Sequence, residues 1–157
     1  MTHAELNTDI AKAHSSDFQE ITEVWEASVR ATHHFLQEKD IQYFKPLILN
    51  EYLWHVYLFC IRNEKQQITG FLGIAGNKIE MLFIHPEAMG KGIGKKLITY
   101  AIQHLQATEV DVNEQNEQAL GFYLHTGFKV VNRSETDGLG KPFPILHLAL
   151  ANSTIIS

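Results

Sequence analysis

Three strand-like runs crowd into residues 55–85 with only short connections between them, and this spacing constrains the fold more than any other feature. His55 to Arg62 is rich in β-branched and aromatic residues, Gln67 to Ala75 repeats that character, and Lys78 to His85 closes the series before Pro86. Asn63-Glu64-Lys65-Gln66 and Gly76-Asn77 carry turn chemistry. A parallel crossover needs about a dozen residues or more, so connections this short force antiparallel neighbours. The segment reads as a meander.

The period changes after Pro86. Met89-Gly90-Lys91-Gly92-Ile93-Gly94-Lys95-Lys96 is glycine-rich, and Leu97, Ile98, Ala101, Ile102 and Leu105 continue at helical spacing to about Gln106. Glu109 to Val112 reads as a short strand and Asn116 to His125 as a short helix. Gly127 to Asn132 and Phe143 to Leu150 read as strands joined by a polar loop. The passage from 78 to 112 is long enough for a right-handed crossover between parallel strands. Upstream, the first dozen residues show no period and read as an arm. Asp17-x-x-Glu20 has capping-box spacing, and Phe18, Ile21, Val24, Trp25 and Val29 give one apolar face through about Arg30. Ala31 to Asp40 reads as a polar stretch containing His33-His34. Ile41 to Asn50 is helix-like, with Pro46 working against it. With no internal repeat and no linker, residues 1–157 read as one mixed α/β domain.

Composition excludes several classes. The chain has 157 residues, 18 acidic side chains against 13 Lys and Arg, and a net charge of −5. That balance opposes a nucleic-acid partner while leaving room for a local anion site. A single cysteine, Cys60, makes neither an intramolecular disulfide nor a Cys-rich zinc site, and suits a reducing, cytoplasmic setting. The N-terminus lacks the order of a signal peptide, and no apolar run reaches spanning length, so no membrane partner is expected. Nine histidines are scattered without a His-x-x-x-His pair, and no metal is expected.

A glycine-rich turn from strand to helix brings backbone N–H groups close to an anion, the helix adds its positive end, and Lys91, Lys95 and Lys96 add charge. The Walker spacing fails and the dinucleotide fingerprint fits poorly, so a merely structural turn stays open at this point. The surrounding residues resemble the GCN5-related N-acetyltransferase (GNAT) superfamily. Its cofactor motif, Arg/Gln-x-x-Gly-x-Gly/Ala, is matched at Gly92 and Gly94, with Met89 in place of Arg or Gln. A second family signature is complete in Asn116, Ala119, Tyr123, Gly127 and Phe128. Ser28-Val29-Arg30-Ala31-Thr32-His33 and Val112-Asn113-Glu114-Gln115-Asn116 bring the chain nearest to one bacterial branch of the superfamily. The resemblance spans about residues 17 to 150.

The resemblance implies a GNAT fold: a mixed, largely antiparallel sheet with splayed central strands flanked by helices. It further implies an enzyme, an N-acetyltransferase that uses acetyl-CoA, releases CoA, and acetylates a small-molecule, peptide or protein amine. The same fold serves a non-catalytic CoA-binding or sensing module, and the loop alone would also serve a nucleotide binder. A monomer and a homodimer are both compatible with the sequence. The cofactor-binding residues implied are Leu82, Phe83, Ile84, Met89, Gly90, Lys91, Gly92, Ile93, Gly94, Lys95, Asn113, Asn116, Phe122 and Tyr123.

The chemistry asks for more. A free alkyl amine has a pKa near 10.4 and needs help to lose its proton, while the departing thiolate needs one. Tyr123 is the candidate acid by its motif position; the alternative is a core tyrosine between Phe122 and Phe128. Asn113 and Asn116 either cap a helix, contact the pantetheine arm, or do both. Glu80, two residues before Leu82, is a candidate base that alternation sets on the same face; a solvated edge charge is the alternative. Thr32, His33, His34 and Phe35 are candidates for the acceptor pocket. Cys60 lies in an apolar strand, where a thiolate is disfavoured, so direct transfer in a ternary complex is preferred over an acyl-enzyme.

Overall fold

The computed structural model describes residues 9–151. Residues 1–8, most of the expected arm, lie outside them, but the end of that arm is a strand. β1 (Ile10–Lys12) pairs antiparallel with β2 (Tyr57–Arg62). β3 (Ile68–Ala75) and β4 (Lys78–Ile84) complete the meander, each antiparallel to its predecessor. Asn63 makes the first turn by accepting the N–H groups of Lys65 and Gln67 through Oδ1, at 2.9 and 3.0 Å.

Two helices precede the meander. α1 (Phe18–Thr32) buries the expected stripe of Ile21, Val24, Trp25 and Val29. Its start differs from the expected capping box. The Asp17 carboxylate accepts from the His14 N–H and pairs with Arg62 at 2.9 Å, while Glu20 accepts the Ile68 N–H at 2.8 Å. Both acids tie the helix to the sheet, where long-range partners outcompete the local ones. Since Asn caps as well as Asp, Asp17→Asn would be neutral if capping were its role. We expect it to cost about 1 kcal/mol through the lost ion pair, measured as a urea midpoint shift against wild type.

α2 (Glu38–Asn50) begins three residues before the expected start, and Pro46 sits inside it. The Asp40 carboxylate accepts the Gln37 N–H at 2.9 Å and sets the earlier start. Pro46 forfeits one hydrogen bond in a helix otherwise held by Ile41 and Ile48 in the core. His55 belongs to a 3-10 turn (Tyr52–His55) rather than to β2.

The remainder is α3 (Ile93–His104), β5 (Glu109–Asn113), α4 (Glu117–His125), β6 (Phe128–Ser134) and β7 (Ile145–Leu150). Among the described residues the sheet has seven strands in the order β1-β2-β3-β4-β5-β7-β6. Of these pairings only β4 with β5 is parallel, joined by the crossover through α3. Each face of the sheet carries a core. Phe71, Met81, Leu58 and Cys60 pack with α1 and α2, while Leu72, Ile74, Ile79 and Val110 pack with Leu97, Ile98 and Ala101 of α3 and Tyr123 of α4. Among the described residues no helix is long and apolar enough to cross a membrane.

Candidate active site

The site opens where β4 and β5 part. Their pairing consists of Lys78 with Glu109 and Ile79 with Val110, after which the strands diverge. A bulge accompanies the fork: Ile74 faces Ile79 and Gly73 faces Met81, leaving Glu80 between them. Ile79 consequently packs into one core and Met81 into the other, two residues apart. The strict alternation expected between Glu80 and Leu82 therefore does not run through this point. Glu80 is exposed and lines a cleft of about 560 Å³ that fills the fork.

One end of the cleft is built for an anion. Met89, Gly90, Gly92, Ile93, Gly94 and Lys95 line it, and Gly90 and Gly92 have φ of +77° and +80°. A side chain built at either glycine would meet nothing within 4 Å, so both face open space. From Gly92 to Lys95 no backbone N–H finds a carbonyl partner among the described residues; the first helical bond runs from Lys96 N–H to Gly92 O. Unpaired donors at the start of a helix are what a pyrophosphate requires. The residues thus fit the phosphate end of acetyl-CoA. Lys91 is exposed and lies outside the lining, and Lys96 pairs with Asp9 at 3.3 Å instead of facing the loop.

Leu82, Phe83 and Ile84 form one wall of the fork, and Asn113, Asn116, Phe122 and Tyr123 the other. Asn116 caps α4, its Oδ1 accepting the Ala119 N–H at 3.1 Å, whereas Asn113 Oδ1 accepts the Gln115 N–H at 2.9 Å in the turn before the helix and caps nothing. The Tyr123 ring, 6% exposed, meets Phe122 and Phe128 edge to face at 5.2 and 5.7 Å. Its hydroxyl has no hydrogen-bond partner among the described residues, yet no fully buried side-chain polar atom among them is unpartnered. The hydroxyl therefore opens into the cleft. Burial pushes its pKa above the ordinary phenol value, so it stays protonated and donates.

The other end is lined by Thr32, His33 and Phe35 from the end of α1, whereas His34 is exposed and outside the lining. His33 lies within ring-contact distance of Phe35 and Phe83, at 5.2 and 6.1 Å. Burial, aided by neighbouring His34, holds its pKa at about 4. Sequence reasoning missed Asp111, Asp137, Phe44 and Phe143, which line the same cleft, the Phe143 ring lying 6.0 Å from that of Phe35. For Asp111 the signal was present: alternation along β5 sets it opposite Val110 and Val112. It accepts from Lys78 and shares a 2.7 Å contact with His147 Nδ1, whose Nε2 meets Ser134 Oγ at 2.7 Å. Burial lowers the Lys78 pKa, but the Asp111 hydrogen bond and the charges of Asp111, Glu80 and Glu109 outweigh it, so the net shift is upward. Asp137 and Phe143 belong to the loop before β7, whose path composition does not reveal.

A forked sheet holding an anion cradle and a protonated phenol defines a protein that grips a phosphate-bearing acyl carrier and serves its thioester. Residues 24–143 match the acetyltransferase (GNAT) domain, and the chain belongs to that family. It is similar to the peptidyl-lysine N-acetyltransferase YjaB of Escherichia coli K12, 39% identical over 140 residues, covering 89% of this chain and 95% of that one. The solution structure of apo-form YjaB from Escherichia coli superposes with a TM-score of 0.82 at 39% identity, covering 90% of this chain and 96% of that one. The PaiA N-acetyltransferase from Thermoplasma acidophilum, in complex with coenzyme A, gives a TM-score of 0.68 at 25% identity, covering 88% and 96% of the two chains. The chain is accordingly an N-acetyltransferase with acetyl-CoA as co-substrate, rather than a sensing module.

Proposed function

We propose that this enzyme acetylates the side-chain amine of lysine in a peptide or protein, by direct attack within a ternary complex. The carrying observation is the makeup of the cleft: the carboxylates Glu80, Asp111 and Asp137 and the aromatic rings of Phe35, Phe44 and Phe143 belong to one lining. Aromatic walls suit an aliphatic stem, and carboxylates draw in the ammonium at its tip. The peptidyl-lysine specificity of YjaB supports the same class.

Acetyl-CoA supplies an activated acyl group: the amine nitrogen bonds to the carbonyl carbon as the carbon–sulfur bond breaks. The residues of this chain manage the protons. Glu80, free of hydrogen bonds and ion pairs among the described residues, takes the ammonium proton directly or through water. Tyr123 presents its O–H to the departing sulfur. Lysine ammonium and acetyl-CoA then yield the amide, the CoA thiol and one proton. Gly90 to Lys95, with Lys91 at the rim, hold the pyrophosphate; Leu82 to Ile84, Asn113, Asn116 and Phe122 border the pantetheine arm. Direct transfer is supported by Cys60, which is fully buried with its thiol pKa pushed up by burial. A single domain in a cytoplasmic setting completes the reading, supported by the one cysteine and by the one sheet that carries both cores.

Incubation with acetyl-CoA and a panel of lysine peptides, followed by thiol release and peptide mass, tests this. Turnover on free amines with none on any peptide would sink the peptidyl assignment. Glu80→Gln is expected to lower kcat/KM about tenfold at neutral pH. The deficit should shrink as pH rises toward about 10.4, where solvent supplies the free amine without a base. A deficit constant with pH would remove Glu80 from this role.

A further inference from the structure

The hydrogen bonds around His33 assign both of its ring nitrogens. The Thr32 hydroxyl donates its one proton to Ser28 O at 2.8 Å. The same oxygen stands 2.8 Å from His33 Nδ1, where it has only lone pairs left to offer. The proton between them therefore belongs to Nδ1. Across the cleft, Asn116 Oδ1 is held by the Ala119 N–H at 3.1 Å, which turns the Asn116 amide nitrogen toward His33. That nitrogen is a donor, 3.4 Å from Nε2, so Nε2 carries the lone pair. At this distance the contact is near the limit of a hydrogen bond, and a closer donor displaces it.

The position of this lone pair matters as much as its assignment. His33 closes the end of α1, shares ring contacts with Phe35 and Phe83, and faces the first residues of α4. It thus stands where the acceptor end of the cleft meets the fork that receives the thioester. With a pKa of about 4 the imidazole is neutral at physiological pH and is no base for an alkylammonium. What it offers is a fixed hydrogen-bond acceptor.

We propose that His33 Nε2 accepts an N–H of the attacking amine and orients its nitrogen toward the acetyl carbon, with Thr32 as the lock on the His33 tautomer. This rests on the acetyl-transfer reading above. After deprotonation the lysine nitrogen carries two N–H bonds and a lone pair; one N–H goes to Nε2 and the lone pair forms the new C–N bond. The second N–H proton leaves as the amide forms, and the retained N–H keeps its partner in the product. His33 gains and loses no proton. His33 is a substrate-contacting residue on this account, and Thr32 is a positioning residue that need not touch substrate.

The test begins with 15N-labelled protein, reading the imidazole nitrogens by long-range proton–nitrogen correlation. The free protein should show a pyrrole-type Nδ1 and a pyridine-type Nε2 for His33. Addition of CoA and then a lysine peptide should shift Nε2 upfield while Nδ1 holds. Thr32→Val should raise the peptide KM about fivefold and leave the acetyl-CoA KM unchanged, and Thr32→Ser should restore it. A protonated Nε2 in the free protein overturns the proposal, as does an unmoved Nε2 when the peptide is bound and turned over. Equal rises in both KM values for Thr32→Val also overturn it, since loss of fold would act on both. Absence of turnover with every amine offered fails the acetyl-transfer reading itself and is distinct from these results.

Discussion

Tyr123→Phe is expected to lower kcat about a hundredfold while the KM for acetyl-CoA stays within about twofold of wild type. The ring is 6% exposed and wedged against Phe122 and Phe128, and phenylalanine refills that volume. The fold and the cleft wall therefore survive, and only the O–H is lost. Burial raises the phenol pKa and makes the proton harder to remove than from a free tyrosine. Its contribution lies in presenting a hydrogen bond to sulfur as negative charge develops there. Because burial keeps the phenol protonated beyond the range of a free tyrosine, the ratio of wild-type to variant kcat should be flat with pH to at least about pH 10. Equal kcat values for the two proteins would return Tyr123 to the core and leave the thiolate to solvent.

Gly92→Val should weaken acetyl-CoA binding at least about a hundredfold, read by calorimetric titration of folded protein. Gly92 has φ of +80°, where a β-branched residue is strained by about 1–2 kcal/mol. No protein atom would obstruct its Cβ within 4 Å; the space it enters is the cradle itself. Gly76 separates strain from obstruction. It has φ of +60° in the β3–β4 turn, also with nothing within 4 Å of an added Cβ. Gly76→Val should carry a similar stability loss and leave acetyl-CoA affinity unchanged. Comparable affinity losses at both positions would mean that strain, not the cradle, explains the result.

Much of the fold was legible because it rests on local signals. The meander follows from short connections between strand-like runs, and α3 and α4 follow from periodic apolar residues after Gly92 and Asn116. The glycine loop and Tyr123 were legible through spacing, supported by resemblance. The early start of α2 has a local cause, the Asp40 carboxylate on the Gln37 N–H, whereas the other misjudged features share a distant one. Asp17 and Glu20 turned from their capping box to Arg62 and to the start of β3, and Ile10 to Lys12 became a strand because β2 offered an edge. Lys96 left the anion loop for Asp9.

By itself, the order of residues determined that this chain would form a meander, cross over through a glycine-opened helix, and present donors to a phosphate. Those properties depend on short-range sterics and period, which operate on neighbours in the chain. Only the tertiary structure decided what else lines the cleft. Asp111 and Asp137 come from a strand and a loop far from His33, and no local rule brings them together. The tautomer proposed for His33 likewise rests on tertiary neighbours, a Thr32 hydroxyl committed to Ser28 and an Asn116 amide committed to Ala119. A proton's position is set by the neighbours that compete for it, and folding chooses those neighbours.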